Sequence, residues 1–252
     1  MKMANGQVDL NCDLGESFGR YELGEDAEVM NHITSANIAC GLHAGDPLVM
    51  DRTVGLAARR GVAVGAHPGY PDLQGFGRRV MDLTPEEAEA FILYQVAALA
   101  GFSRAHGVDL VHVKPHGALY NQAARDSSLA AAIVRGIRRF SASLVVVGLA
   151  GSALLDEALS AGMRAASEGF PDRAYNADGS LRSRRLPGAV IEPIDEICAQ
   201  AVRLATHGIV IEGGQPIPID TLCIHGDHPG AAQHAAAVRS ALESSGIRVH
   251  GL

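Results

Sequence analysis

Residues 8–13 read Val8-Asp9-Leu10-Asn11-Cys12-Asp13, a short apolar run closed by an ionisable residue. The same design recurs at 36–40 (ANIAC), 62–66 (VAVGA), 110–114 (LVHVK), 144–148 (LVVVG), 163–167 (MRAAS) and 222–225 (LCIH). Alanine-rich stretches at 48–60, 85–106, 127–140, 151–161, 193–207 and 230–245 separate most of these runs. Strands that alternate with helices predict a largely parallel sheet, either closed as a β/α barrel or open and doubly wound. Helix starts are marked: Thr84-Pro85-Glu86-Glu87 offers an N-cap, a first-turn proline and a capping-box glutamate. Asp46-Pro47 and His228-Pro229 resemble the same device. The stretch 175–187, YNADGSLRSRRLP, reads as a loop or hairpin, and 208–220 as two short strands about Gly213-Gly214.

The chain has 252 residues, 47% of them hydrophobic, enough to bury a sizeable core as one domain over 1–252. A formal net charge of −7 without any run of Lys or Arg gives nucleic acid or an anionic membrane nothing to hold. The first thirteen residues, MKMANGQVDLNCD, hold no apolar h-region, and no stretch approaches the roughly 18 apolar residues of a membrane span. A cytoplasmic location is expected. Cys12, Cys40, Cys198 and Cys223 form no C-x-x-C pair and read as reduced thiols, three of them in apolar runs.

The chemistry is concentrated just after the strand-like runs. In chain order these positions hold Asn11, Asp13 and Glu16; Asn37, His43 and Asp46; His67 and Asp72; Lys114 and His116; Glu168 and Asp172; then His225, Asp227 and His228. In parallel β/α folds all of them reach one end of the sheet, where ligands bind. Lys114 ends a V-H-V-K run before Pro115, which points its ammonium into that pocket, to neutralise an anion or to act as a base of lowered pKa. His112 is read as core, and His32, His106, His207, His234 and His250 as surface or structural residues. Asp13, His43, His67 and His116 carry donors suited to Zn, Mn or Mg, although no H-E-x-x-H helix is present. A metal-dependent hydrolase or deacetylase would use Asp13, His67 and His116. The chain has no Walker A and no G-x-G-x-x-G motif, and the 148–152 segment, GLAGS, reads as a tight strand-to-helix turn.

Six blocks, VDLNCDLGESFG (8–19), SANIACGLHAGDP (35–47), GAHPGYPDLQGFGRR (65–79), HVKPHGALYN (112–121), EGFPDRAY (168–175) and CIHGDHPGA (223–231), together resemble the LamB/YcsF family over nearly the whole chain. Leu42, Pro171 and His228 depart from the family pattern. The resemblance implies a single TIM-like β/α barrel of the glycoside hydrolase/deacetylase type, with seven strands. It also implies ATP-dependent opening of 5-oxo-L-proline to L-glutamate, with Mg accompanying ATP and with PxpB-like and PxpC-like partner subunits. The family's site residues map onto Asp13, Glu16, Asn37, His43, His67, Lys114, His116, Glu168, Arg173, His225 and Asp227. On this reading Asp13, Glu16, His67, Lys114 and His116 are catalytic, and His67 and His116 move protons during ring opening. Asn11, Asn37, His43, Arg78, Glu168, Arg173, His225 and Asp227 bind substrate or nucleotide, with Lys114, Arg173 and Mg on the phosphates. Arg78, Arg79 and the 182–185 arginine cluster would add further phosphate contacts. The alternatives are the metal-dependent amide hydrolase and a lactam-binding subunit without chemistry of its own.

Overall fold

The computed structural model of the chain describes residues 6–183, 186–226 and 230–252. Seven parallel strands, β1 (Gln7–Leu14), β2 (Ser35–Ala39), β3 (Ala63–His67), β4 (Leu110–Val113), β5 (Val145–Leu149), β6 (Arg164–Gly169) and β7 (Thr221–Ile224), pair in chain order. Pairing of β1 with both β7 and β2 closes the barrel. Around it lie α1 (Asp26–Val29), α2 (Pro47–Arg60), α3 (Pro85–Ala105), α4 (Gly117–Ala123), α5 (Ser127–Phe140), α6 (Ala153–Ser160), α7 (Ile194–His207) and α8 (Ala231–Ser244). No helix among the described residues is long and apolar enough to cross a membrane. All four cysteines are free thiols, and only Cys198 is not buried.

The sequence signals at the helix starts act as expected. Thr84 Oγ1 accepts from the Glu87 amide and Glu87 returns the bond to the Thr84 amide, while Asp46 accepts from the amides of Leu48 and Val49. The short elements α1, α4 and β8 (Arg248–Val249), the last paired with the first residues of β1, were not legible in the periodicity. The 208–220 segment is not a pair of strands: a single antiparallel bridge joins Ile209 and Ile217. In the 173–190 excursion, bridges join Tyr175 to Leu181 and Arg173 to Val190. Asp227, with His228-Pro229, lies outside the described residues, as do Arg184 and Arg185 of the arginine cluster.

Side-chain alternation along the strands separates two cores. Val8, Leu10, Cys12 and Leu14 of β1, with Ile38, Val64, Ala66, Val113, Val146 and Leu222, belong to the main apolar cluster. The opposite parity, Asp9, Asn11 and Asp13 in β1 with Asn37, His67, His112 and Thr221, fills the barrel with polar groups. Such a lining is stable only if its members satisfy one another. Asp9 accepts from Thr34, Ser35 and Thr221 at 2.5–2.7 Å; Thr221 accepts from Asn11 at 2.6 Å, and Asn11 accepts from Asn37 at 2.7 Å. Burial raises the Asp9 carboxyl above its ordinary pKa, and these three hydroxyls oppose that rise.

One glycine makes this lining possible. Gly65 stands in register between Asn37 and His112, and the β3–β4 pairing skips Val111 there. With no side chain at 65, His112 reaches over it to place Nε2 2.7 Å from Asn37 Oδ1. A Cβ on Gly65 would lie 2.0 Å from His112 Nε2. Gly65→Ala therefore displaces a fully buried imidazole and is expected to cost about 1–3 kcal/mol, as overpacking does, read as a lowered urea midpoint. An unchanged midpoint would show that the ring has room to turn and that its bond to Asn37 is dispensable.

Candidate active site

The C-terminal ends of the strands carry a continuous polar array. Its centre is Lys114, which follows β4 and is 3% exposed. Its Nζ lies 3.0 Å from Asp13 Oδ1, 2.9 Å from Glu168 Oε1 and 3.1 Å from Cys223 Sγ. Burial alone would lower its pKa, but the Asp13 and Glu168 carboxylates outweigh burial and raise it well above the ordinary lysine value. Lys114 is thus an ammonium held between two carboxylates, not a neutral amine base. Burial likewise works to raise the Asp13 carboxyl, and His67 and Lys114 hold it well below the carboxylate range instead. Glu168 is completed by the Tyr120 hydroxyl at 2.8 Å and the Asn11 amide at 3.0 Å. Burial keeps Cys223 a thiol and pushes Cys40 up to about 12, so neither is poised as a nucleophile.

Beside this centre is a cluster of imidazoles. His67, at the end of β3, donates from Nδ1 to the Lys114 carbonyl at 2.7 Å. His116, the residue before α4, donates from Nε2 to the Phe76 carbonyl at 2.8 Å. Because carbonyl oxygens only accept, both ring protons are committed there. The remaining nitrogens, His67 Nε2 and His116 Nδ1, face each other at 3.0 Å: in neutral rings both are acceptors, and a second proton on His67 Nε2 would bond His116 Nδ1 and pair with Asp13. Asp13 Oδ2 is 3.4 Å from His67 Nε2, and Glu16 Oε1 is 3.7 Å from His116 Nδ1 and 3.8 Å from His43 Nε2. His43 is fully buried and stacks on His116 with ring centroids 3.8 Å apart. Neither nitrogen of His43 has a hydrogen-bond partner among the described residues. Burial, then the other two histidines, depresses the pKa of His43 strongly; burial and His67 bring His116 to about 3.

The loop after β3 explains how three rings fit together. A Cβ on Gly69 would come within 2.5 Å of His43, and one on Gly77 within 2.8 Å of both His43 and His116. Phe76 holds the left-handed backbone at φ 54°, unusual for an aromatic residue. This turns its carbonyl to His116 while its ring packs edge-on against His43 and His116. Asp72 ties the loop by accepting from the Gly75 amide and pairing with Arg79.

At the mouth, His225 Nδ1 lies 2.5 Å from Asp172 Oδ2, and its ring stacks on Phe170. The sequence-selected residues Asn11, Asp13, Glu16, Asn37, His43, His67, Lys114, His116, Glu168 and His225 therefore belong to one end of the barrel. Two arginines behave differently. Arg173 is buried and donates to the carbonyls of Ala189 and Arg182, bracing the excursion it begins. Arg78 is exposed, its guanidinium 5.0 Å above the Phe76 ring. Asp172, placed with Glu168 among the strand-end residues in the sequence, is the partner of His225. Tyr120, Phe76 and His112 were not selected; for His112 the signal was its two-residue spacing from Lys114, which puts both on the inner face. A cavity of about 700 Å³ opens at the opposite end of the barrel, beside Arg60, Asp109 and Arg239, and shares no residue with this array.

Residues 8–252 match the sequence model of the LamB/YcsF family. The chain belongs to that family. Among LamB/YcsF relatives, the A subunit of the 5-oxoprolinase of Pyrococcus furiosus is 55% identical over 246 residues, covering 96% of each chain. The crystal structure of the lactam utilization protein from Thermus thermophilus superposes with a TM-score of 0.92 at 46% identity, covering 98% of this chain and all of that one. The catalytic domain of a peptidoglycan N-acetylglucosamine deacetylase from Eubacterium rectale, at 10% identity and a TM-score of 0.53 over 100% of this chain and 92% of that domain, shares the barrel fold. The likeness to the Thermus protein extends over the whole LamB/YcsF barrel that carries the strand-end site described above.

Proposed function

We propose that this LamB/YcsF chain is the lactam-handling, ATP-hydrolysing subunit of a multi-subunit, cytoplasmic 5-oxoprolinase working with PxpB-like and PxpC-like partners. The relatives named as 5-oxoprolinase A subunits support the substrate class. The observation that carries the reading is the buried Asp13–Lys114–Glu168 array beside the three imidazoles, a site built for charge development and proton movement. A five-membered lactam is a poor electrophile, and ATP gives its opening a driving step. Transfer of the γ-phosphoryl group to the lactam oxygen releases ADP and leaves an activated C=N centre. Water adds to that carbon and the C–N bond breaks as nitrogen takes a proton, which leaves γ-glutamyl phosphate; a second water cleaves this acyl phosphate, and the products are L-glutamate, ADP and phosphate.

The geometry revises the assignment of roles. Lys114 is occupied by Asp13 and Glu168, and Arg173 by backbone carbonyls, so neither is the phosphate contact in this reading. Exposed Arg78, with Mg carried by ATP, takes that place at the mouth. Asp13 and Asn37 orient the ring amide, and the His225–Asp172 pair moves the proton, since a carboxylate on Nδ1 fixes the imidazole so that Nε2 faces substrate.

The test is release of L-glutamate and ADP from 5-oxo-L-proline and ATP by the chain with its partner subunits. Equimolar products are expected, with a loss of about 10²–10⁴-fold in His225→Ala at unchanged thermal stability. Glutamate formed equally well without ATP would overturn this reading in favour of a hydrolase acting through the imidazole cluster. A His225→Ala variant of normal turnover would remove the proton-transfer role.

A further inference from the structure

As neutral rings, the histidines of this cluster have more nitrogen lone pairs than ring protons. His67 and His116 give those protons to carbonyls, and their other nitrogens face each other at 3.0 Å. A shared proton would satisfy that one contact and would still leave both nitrogens of buried His43 without a hydrogen bond. One donor atom from each of Glu16, His43, His67 and His116 lies within 4.8 Å of the other three, and all four residues are buried. Tetrahedral coordination at about 2.0–2.1 Å separates ligand atoms by about 3.3–3.4 Å; the distances here, 3.0, 3.7 and 3.8 Å, bracket that value.

We infer that Glu16, His67 and His116 bind a divalent transition-metal ion, Zn²⁺ in preference to Mg²⁺, with His43 as the fourth donor. Imidazole nitrogens select borderline metals, whereas Mg²⁺ keeps to oxygen and water. The carbonyls of Lys114 and Phe76 act as the outer partners that fix which nitrogen of each ring faces the ion. His43 and His116 are nearly coplanar in orientation, 5° apart and stacked, so their in-plane lone pairs do not converge on one point. Metal binding therefore turns the His43 ring out of its stack, while His67, His116 and Glu16 already converge. Of the donors that the sequence offered, Asp13, His43, His67 and His116, this set keeps the three histidines and exchanges Asp13, whose Oδ1 is taken by Lys114 and Asn37, for Glu16. Once bound, such an ion would polarise an amide or phosphoryl oxygen presented at the mouth. The inference concerns the same site as the proposed function and does not depend on the lactam being the substrate.

The experiment uses the full chain alone, stripped with a chelator and titrated with Zn²⁺ and with Co²⁺. One equivalent is expected to remain after dialysis, and Co²⁺ should give the visible d–d bands of a low-coordinate nitrogen site. His67→Ala and His116→Ala should weaken binding by more than the about 10–100-fold that outer partners are worth. His106→Ala and His250→Ala, at the surface, should change nothing. If a site variant does not fold, the Co²⁺ protein itself decides: the ring protons on His67 Nδ1 and His116 Nε2 should appear as hyperfine-shifted, exchangeable proton signals. Failure to retain an equivalent, equal retention by the folded His67→Ala and His116→Ala variants, or the absence of those signals would overturn the inference. Turnover with partners and ATP is measured separately, so lost metal binding with intact turnover rejects only the metal site, and the converse rejects only the lactam reading.

Discussion

Lys114→Ala is expected to destabilise the folded chain by about 3–5 kcal/mol, the usual consequence of removing one partner from a buried ion pair. The ammonium is the cation nearest to both Asp13 and Glu168, at 3.0 and 2.9 Å, and the Glu168 side chain is fully shielded from water. Without it two carboxylates face one another across a low-dielectric space, and one must take a proton or the strand ends must open. Glu168→Gln in the Lys114→Ala background should restore part of the loss, because it removes one of the orphaned charges. The double-mutant coupling is then expected at about 1–3 kcal/mol, from urea unfolding of the two single variants and the pair. The same variant separates two roles for this lysine. A lysine that contacts phosphate would leave stability nearly intact on removal and raise the KM for ATP; a loss below about 1 kcal/mol together with such a KM effect would return Lys114 to the nucleotide.

Much of this molecule was legible in its sequence, for reasons that also mark where the reading stops. The strands alternate with helices whose starts are signalled by Thr84-Pro85 and Asp46-Pro47, and local chemistry of that kind acts over three or four residues. A helix of seven residues such as α4 and a strand of two such as β8 have no period to read. Strand-end placement collected Asp13, His67, Lys114, His116 and His225 because the parallel topology brings those ends together whatever the side chains do next. Pairing is another matter. That Lys114 answers to Glu168 rather than to a ligand depends on the register linking β4 through β5 to β6. That Arg173 turns to the carbonyls of its own excursion depends on a loop path. His112 looked like core because it is core, but on the inner face, where Gly65 lets it reach Asn37. The exchange of Asp13 for Glu16 in the metal set has the same origin: distances between side chains on four different loops and strands are not encoded in any spacing.

Buried histidines should make the folded chain less stable as pH falls below neutrality. His112 and His116 both have pKa values of about 3 in the folded chain. For His112 the causes are burial and then the Lys114 charge; for His116 they are burial and then His67. In the unfolded chain both return to about 6.5. Between these values the unfolded state binds protons that the folded state refuses, so stability is complete above about pH 6.5 and declines as pH falls toward 3. Each such histidine contributes a slope that approaches about 1.4 kcal/mol per pH unit once the unfolded imidazole is mostly charged. Asp13, held low, loses its contribution as pH falls through the ordinary carboxylate range and below it, and Asp9, raised by burial, works in the opposite sense. The window from about pH 7.5 to 5.5 is where the unfolded imidazoles take up their protons. Urea unfolding of chelator-treated protein across it should show stability falling with pH. His112→Gln, which keeps an amide donor for Asn37 and removes the titrating ring, should reduce the slope by one histidine's share while leaving the contribution of His116 in place. A flat profile across the window, or a His112→Gln variant with the full slope, would mean that these rings gain protons without opening the barrel, and that the polar interior takes up charge more readily than its hydrogen bonds imply.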